Sequence, residues 1–176
     1  MKNIFIILML AFIGISANLE NDTKIGYVYM DLVLRNMEEA KEMNLILDKF
    51  SQEKSAELEK SKIILEKRFG EIQKKAQTGT LTEAGKIIAT NELESMQKEI
   101  ELQTQQDEQE LYTKRVNLLT PIAKKLEEAM DKVAGEKGYK YVLNSSDGTG
   151  NSIVVVAPES DDLTQEVMAE LGIELE

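Results

Sequence analysis

Residues 58–100 read LEKSKIILEKRFGEIQKKAQTGTLTEAGKIIATNELESMQKEI, and their pattern decides the fold. Leu58, Ser61, Leu65, Phe69, Ile72 and Ala76 recur three or four positions apart, which is the spacing of one helix face. Thr78-Gly79-Thr80 interrupts that period and reads as the tip of a hairpin. Thr80-x-x-Glu83 has the form of a capping box, which restarts a helix. Leu81, Ala84, Ile88, Leu93, Met96 and Ile100 then resume the period in the other direction. The stretch predicts a helix, a tight reversal and a returning helix.

The pattern extends far on both sides. From Asp31 to Ala134 the only proline is Pro121, and nothing alternates as a strand does. Upstream, Asp31 reads as the cap of a helix carrying Leu32, Leu34, Met37, Met43, Leu47 and Phe50 and running to about Gln77. Downstream, Leu111, Leu118, Ile122, Met130 and Val133 continue the return helix, with a kink expected at Pro121. A tip at Gly79 sets Leu47 against Leu111, Leu58 against Ile100, Leu65 against Leu93 and Phe69 against Ala89. These are the pairs an antiparallel two-helix seam needs. Each arm of about 45 residues then reaches roughly 65 Å. Met43 and Met96 fall in the seam. Ser51 to Ser55 lies opposite Gln103 to Asp107, where apolar residues are missing. With Gly70 and Gly85 further out, this predicts a hinge near Lys54 and Thr104.

The ends differ in kind. Ile25 to Met30 is short, β-branched and aromatic, a strand with Ile25, Tyr27 and Tyr29 on one face. Gly135 and Gly138 flank a turn, and Tyr139 to Leu143 reads as a second strand. Asn144 to Ser152 reads as a loop, with Gly148-Thr149-Gly150 as its turn. Ile153 to Ala157 reads as a third strand, stopped by Pro158. Asp161-Asp162 starts a short helix with Leu163, Val167, Met168 and Leu171 inward, ended by Gly172. One strand before the hairpin and two after it must meet in a single small sheet, which buries little and leaves an edge. Several chains closing their sheets on one another would relieve this, through Ile25, Tyr27, Tyr29, Tyr141, Leu143, Ile153 and Val155.

Lys2, the apolar run Ile4 to Ile15 and the small residues Ser16-Ala17 read as a secretory signal cut after Ala17. The run is too short for a relaxed membrane span of about 20 residues. The organisation expected is a signal at 1–17, a β-rich body from 18–37 and 116–176, and a helical arm from 38–115. The chain has 21 basic and 32 acidic residues, no His, no Cys and no Trp. An acidic surface excludes nucleic acid as a natural partner. Without Cys there is no disulfide, thiolate metal site or lipid-modified cysteine. Without His the usual general base near neutral pH is missing. No catalytic, cofactor or metal residue is singled out, and an enzyme is not expected.

Several segments resemble one family. Ile25-Gly26-Tyr27-Val28-x-Met30-Asp31-x-Val33-Leu34 looks like the opening of the OmpH/Skp family of periplasmic chaperones. Leu118-x-x-Pro121-Ile122, Glu136-Lys137-Gly138-Tyr139-x-x-Val142-Leu143-Asn144 and Asp162-Leu163-Thr164-x-Glu166-Val167 follow in the same order. The resemblance implies an α+β fold: a small β-barrel-like body formed on trimerisation, and one antiparallel α-helical coiled-coil hairpin arm per chain. It implies a homotrimer whose arms enclose unfolded outer-membrane β-barrel proteins in the periplasm, without ATP or any cofactor. This chain departs from the strongly basic members. Residues 38–77 hold nine acids and nine bases, 78–115 eight and four, and 116–176 twelve and five. A peripheral membrane or lipopolysaccharide contact is therefore not supported by its charge.

A holdase needs many weak apolar contacts outside its own seam, each methylene contributing only about 0.8 kcal/mol. Ile63 and Ile87 lie off the seam and are the client-binding candidates. The competing reading is a secreted coiled-coil scaffold or adaptor that bridges envelope proteins with the same hairpin.

Overall fold

A computed structural model describes residues 23–147 and 151–174. The expected signal segment and the Gly148-Thr149-Gly150 turn lie outside the described residues. The order is β1 (Ile25–Val28), α1 (Met30–Asn36), α2 (Glu38–Gln77), α3 (Glu83–Lys137), β2 (Tyr141–Asn144), a 3-10 turn (Glu159–Asp161) and α4 (Thr164–Glu170).

The hairpin is the dominant feature. Helix α2 has 40 residues and α3 has 55, so at 1.5 Å per residue they measure about 60 and 80 Å. The tip turns at Gly79, whose φ of 69° is the left-handed conformation that glycine adopts without strain. The hydroxyls of Thr78 and Thr80 donate to the Lys75 carbonyl, so both threonines finish α2. The cap of α3 is Thr82 instead, whose hydroxyl accepts from the Gly85 N–H at 3.1 Å. The expected capping box at Thr80 is thus replaced by a single N-cap bond two residues on, since Gly85 has no side chain to return it. Helix α3 runs unbroken through Pro121 and Gly135 to Gly138, a left-handed C-terminal cap with φ 74°. Gly135 is helical and does not begin the turn.

The first long helix is broken where no glycine or proline marks a break. Met37 leaves the helical region with ψ 128°, separating α1 from α2. Its side chain is almost wholly buried with Val33, Ala40 and Leu126. Burying a Met side chain contributes about 1.5–3 kcal/mol, enough to offset the hydrogen bonds a break forgoes. The expected Asp31 cap is also replaced. Tyr29 holds the N-cap position, and Asp31 sits in the first turn with its carboxylate accepting from the Ser146 hydroxyl at 2.6 Å.

The core gathers at the base of the hairpin. Val28, Val33, Met37, Ala40, Ile122, Leu126, Ala129, Val133, Tyr139, Leu163, Val167 and Met168 form one buried cluster. Strands β1 and β2 pair in parallel, Ile25 opposite Tyr141 through Val28 opposite Asn144. The other edge of β1 is taken by the segment before α4. Leu163 N–H donates to the Tyr27 carbonyl at 2.9 Å, and Tyr29 N–H to the Thr164 hydroxyl at 3.0 Å. Exposed ion pairs from Lys132 to Glu170 and from Lys137 to Glu166 tie α4 to α3.

Two strand expectations change. The second strand begins at Tyr141, while Tyr139 turns inward and donates its hydroxyl to Asp161 at 2.9 Å. Ile153 to Ala157 is not a strand: Ser152 bridges Ser146, and the segment then leaves β2, with Val155 and Val156 85% and 91% exposed. Within one chain the free edge of β2 gives this segment no second neighbour to lie against.

Gly26 tests the packing of this base. A Cβ there would stand 2.7 Å from Leu163 Cδ1 and 3.1 Å from Tyr139 Cδ1, and both residues are buried. Gly26→Ala should therefore destabilise the chain by about 1–3 kcal/mol in urea or thermal melts. An unchanged midpoint would contradict the tight contact of β1 with Leu163.

Candidate functional surface

The seam between α2 and α3 is built from alternating apolar and polar layers. Positions 47, 51, 54, 58, 61, 65, 68 and 72 of α2 are buried or half-buried, in steps of four and three. They include Ser61, which the spacing already placed on this face, and the charged residues Lys54 and Arg68, which an apolar pattern passes over. Arg68 grips Glu92 with two hydrogen bonds of 2.9 and 2.7 Å and also reaches Glu71. Ser61 bonds Gln103 at 3.3 Å. Lys54 bridges Asp107 at 3.1 Å and Glu110 at 2.7 Å. At the gap expected near Lys54 and Thr104 this cluster bridges the helices beside Phe50, over whose ring Lys114 lies at 4.9 Å, and a concavity of about 160 Å³ remains there.

These cross-links also correct the register. Arg68 with Glu92 and Ser61 with Gln103 place α3 two to six residues further along than a tip centred on Gly79 allows. The loop spans 78–82, so its midpoint lies beyond Gly79. The expected facing of Phe69 on Ala89 is lost. Phe69 and Ile88, both assigned to the seam from sequence, are more than half exposed. Ala89, Leu47, Leu58, Leu65, Met96 and Ile100 do stay on the seam side.

Ile63 and Ile87, the candidates for client contact, are both exposed. They do not form one patch. Ile63 is two residues from Ser61 and from Leu65, which face α3, and Ile87 is two residues from Gly85 and from Ala89, which face α2. At 100° per residue each therefore projects from the back of its own helix, on opposite sides of the arm. The structure adds Ile64, Phe69 and Ile88 to the apolar residues outside the seam. Helical spacing placed Phe69 and Ile88 in the seam and so did not offer them as surface residues.

The proposed assembly residues fall into two groups. Ile25, Tyr29, Tyr141, Leu143, Ile153 and Val155 are all exposed around the strand pair. Tyr27 is buried within the chain, its ring edge-on to Tyr29 at 5.8 Å. Burial, and then the nearby Asp162 carboxylate, push the Tyr27 phenol pKa up. A concavity of about 800 Å³ lies between the Met37 break and the end of α4, and includes Lys41, Lys125, Leu171 and Ile173. Among the described residues no group of three metal-ligating side chains comes together.

A two-helix arm much longer than its base, with a polar-layered seam and apolar residues on its outer faces, defines an arm-on-body α+β protein. The chain belongs to the OmpH-like outer membrane protein family: the family model for "Outer membrane protein (OmpH-like)" matches residues 24–171. Among solved structures it is similar to a proposed outer membrane chaperone (OmpH-like) from Caulobacter crescentus CB15. That match has a TM-score of 0.67 and 16% identity, covering 84% of this chain and 83% of the other. No curated protein matches the chain.

The ion pairs predict how the fold responds to acid. Glu92 is held below the usual glutamate range by its hydrogen bonds to Arg68, Glu39 by Lys125 and Glu166 by Lys137. A depressed carboxylate stabilises the folded state above its ordinary value of 4.5 and loses that contribution as pH falls through the lowered one. Melting temperature should therefore decline below about pH 4.5, and Glu92→Gln should shrink that decline. A Glu92→Gln variant with the full acid limb would show that the Arg68 pair is not coupled to folding.

Proposed function

We propose that this chain is an ATP-independent periplasmic holdase that binds unfolded outer-membrane β-barrel proteins between helical arms and prevents their aggregation. Membership of the OmpH-like family supports a chaperone role. The observation that carries the finer reading is the arm itself. Ile63, Ile64, Phe69, Ile87 and Ile88 are exposed on a hairpin whose own seam is already satisfied by other residues. Dispersed apolar contacts of this kind suit reversible binding of many unfolded segments.

In this reading the working unit is a homotrimer, with a body of 18–37 and 116–176 and an arm of 38–115. Ile25, Tyr29, Tyr141, Leu143, Ile153 and Val155 make the contacts between chains. Their exposure around a two-stranded sheet with one free edge supports this, since such an edge invites pairing with another chain. Tyr27 serves the fold of each chain first. Ile63 and Ile87 meet client from different arms, because one arm turns them apart. Export by a cleaved signal at 1–17 places the protein in the periplasm.

Purified protein lacking residues 1–17 should keep a urea-diluted outer-membrane β-barrel soluble without nucleotide. If several such clients aggregate unchanged at excess protein, the adaptor reading replaces the holdase.

Val155→Asp addresses assembly separately. Val155 is exposed in the single chain, so the change leaves its fold intact, yet it places an unpaired charge in a contact between chains. Light scattering should show a trimer that falls apart in this variant. A monomeric native protein would refute the assembly.

A further inference from the structure

The two edges of the strand pair are not alike. On one side of β1 the Lys24 and Val28 carbonyls accept from the Lys140 and Ser145 N–H groups, which flank β2, both at 2.9 Å. Tyr27 and Tyr29 alternate with them and turn their backbone groups to the other side. There a strap, Asp162-Leu163-Thr164, takes them up: Leu163 donates to the Tyr27 carbonyl, and Thr164 accepts from the Tyr29 N–H. Among the described residues no strand covers the far edge of β2.

Composition follows the same division. The strap is entered through 158–162, which reads PESDD, a proline and three acids. Proline and charge are what natural proteins set along an edge that must refuse another strand. On the β2 side, 141–146 reads YVLNSS and 151–157 reads NSIVVVA, with no charge and no proline. Tyr141, Leu143, Ile153 and Val155 are exposed there.

The strap is fastened at three points. Leu163 is buried in the space that Gly26 leaves. The Tyr139 hydroxyl holds the preceding turn by donating to Asp161. Thr164 joins strap to strand. It is only 3% exposed, and its hydroxyl accepts from Tyr29 while donating to the Asp162 carboxylate at 2.5 Å. Without that hydroxyl the Tyr29 N–H loses its partner.

We infer that residues 158–164 are an edge guard against a second copy of this chain. The guard keeps another strand from adding at β1 and leaves the β2 side as the edge open to assembly. Thr164 is its positioning residue. The inference rests on the assembly reading above and adds what limits that assembly. A bare strand pair has two edges, so a copy bound at one still offers the other, and growth need not end. Covering β1 removes that route.

Thr164→Val keeps the size of the side chain and removes the hydroxyl. In the exported chain it should speed hydrogen exchange at the Tyr29 and Leu163 amides about ten-fold. Light scattering should then give a mass above the native one that climbs with concentration. Thr164→Ser, which keeps the hydroxyl, should restore native exchange and native mass. Native exchange in Thr164→Val would show that Thr164 does not position the strap. Faster exchange at native mass would show that the strap guards nothing, and either result overturns the inference. A photo-reactive amino acid in the otherwise native chain gives a second reading that does not depend on how the variant folds. Cross-links between copies are expected at Leu143 and not at Ser160, an exposed position of the strap. Cross-links at Ser160 would refute the guard. A native protein that stays monomeric overturns the assembly reading alone, and the guard is then decided by whether Thr164→Val associates.

Discussion

Everything in this molecule depends on returning the two ends of a very long hairpin to one place. Strand β1 enters the hairpin and β2 leaves it, and their parallel pairing is possible only because α2 and α3 run antiparallel and end side by side. The base core then does what neither strand could do alone. Val28, Leu126, Leu163 and Val167 come from four separate segments and are all almost fully buried. A two-stranded sheet is marginal in water. Here it is held by helices on one side and by the Leu163–Thr164 segment along its edge. The arm projects from this base with no packed partner but itself.

The arm's seam solves a specificity problem. A uniform apolar seam between two long helices would allow neighbouring registers of similar energy. Lys54, Ser61 and Arg68 each have a partner on α3 that a slipped register would remove. Asp107 makes this costly, since one of its carboxylate oxygens is already buried without a partner. The polar layers hold alignment, and the intervening Leu58, Leu65, Met96 and Ile100 supply cohesion. Apolar residues left outside the seam are thereby spared a structural duty.

Much of this architecture was legible in the sequence, and the misses have physical causes. Gly79 marked the tip because a tight reversal needs its positive φ, and long stretches of helical spacing marked both arms. The break at Met37 left no trace, because a buried methionine and not a turn residue creates it. Helical periodicity also read Lys54 as part of a gap in the seam and passed over Arg68, since it cannot see that a charge on one helix has its partner on the other. That omission shifted the register and moved Phe69 and Ile88 wrongly inside. Ile153 to Val156 read as a strand from composition, yet a strand exists only where a neighbour accepts its hydrogen bonds. Of the surface residues, Ile63 and Ile87 were visible as off-seam positions. Their divergence, and the burial of Tyr27, required three-dimensional packing.

The parallel strand pair sets an order on how the chain is made. Asp31 and Ser146, which meet beside it, are 115 residues apart in sequence. Closing an open loop of that length costs about 4 kcal/mol in chain entropy. Zipping from Gly79 downward replaces that single closure by a succession of local ones, each extending helix already formed. A chain emerging amino end first must therefore wait with β1 unpaired until α3 is complete, and its base is assembled last. The sheet is thus the record that the whole hairpin has closed.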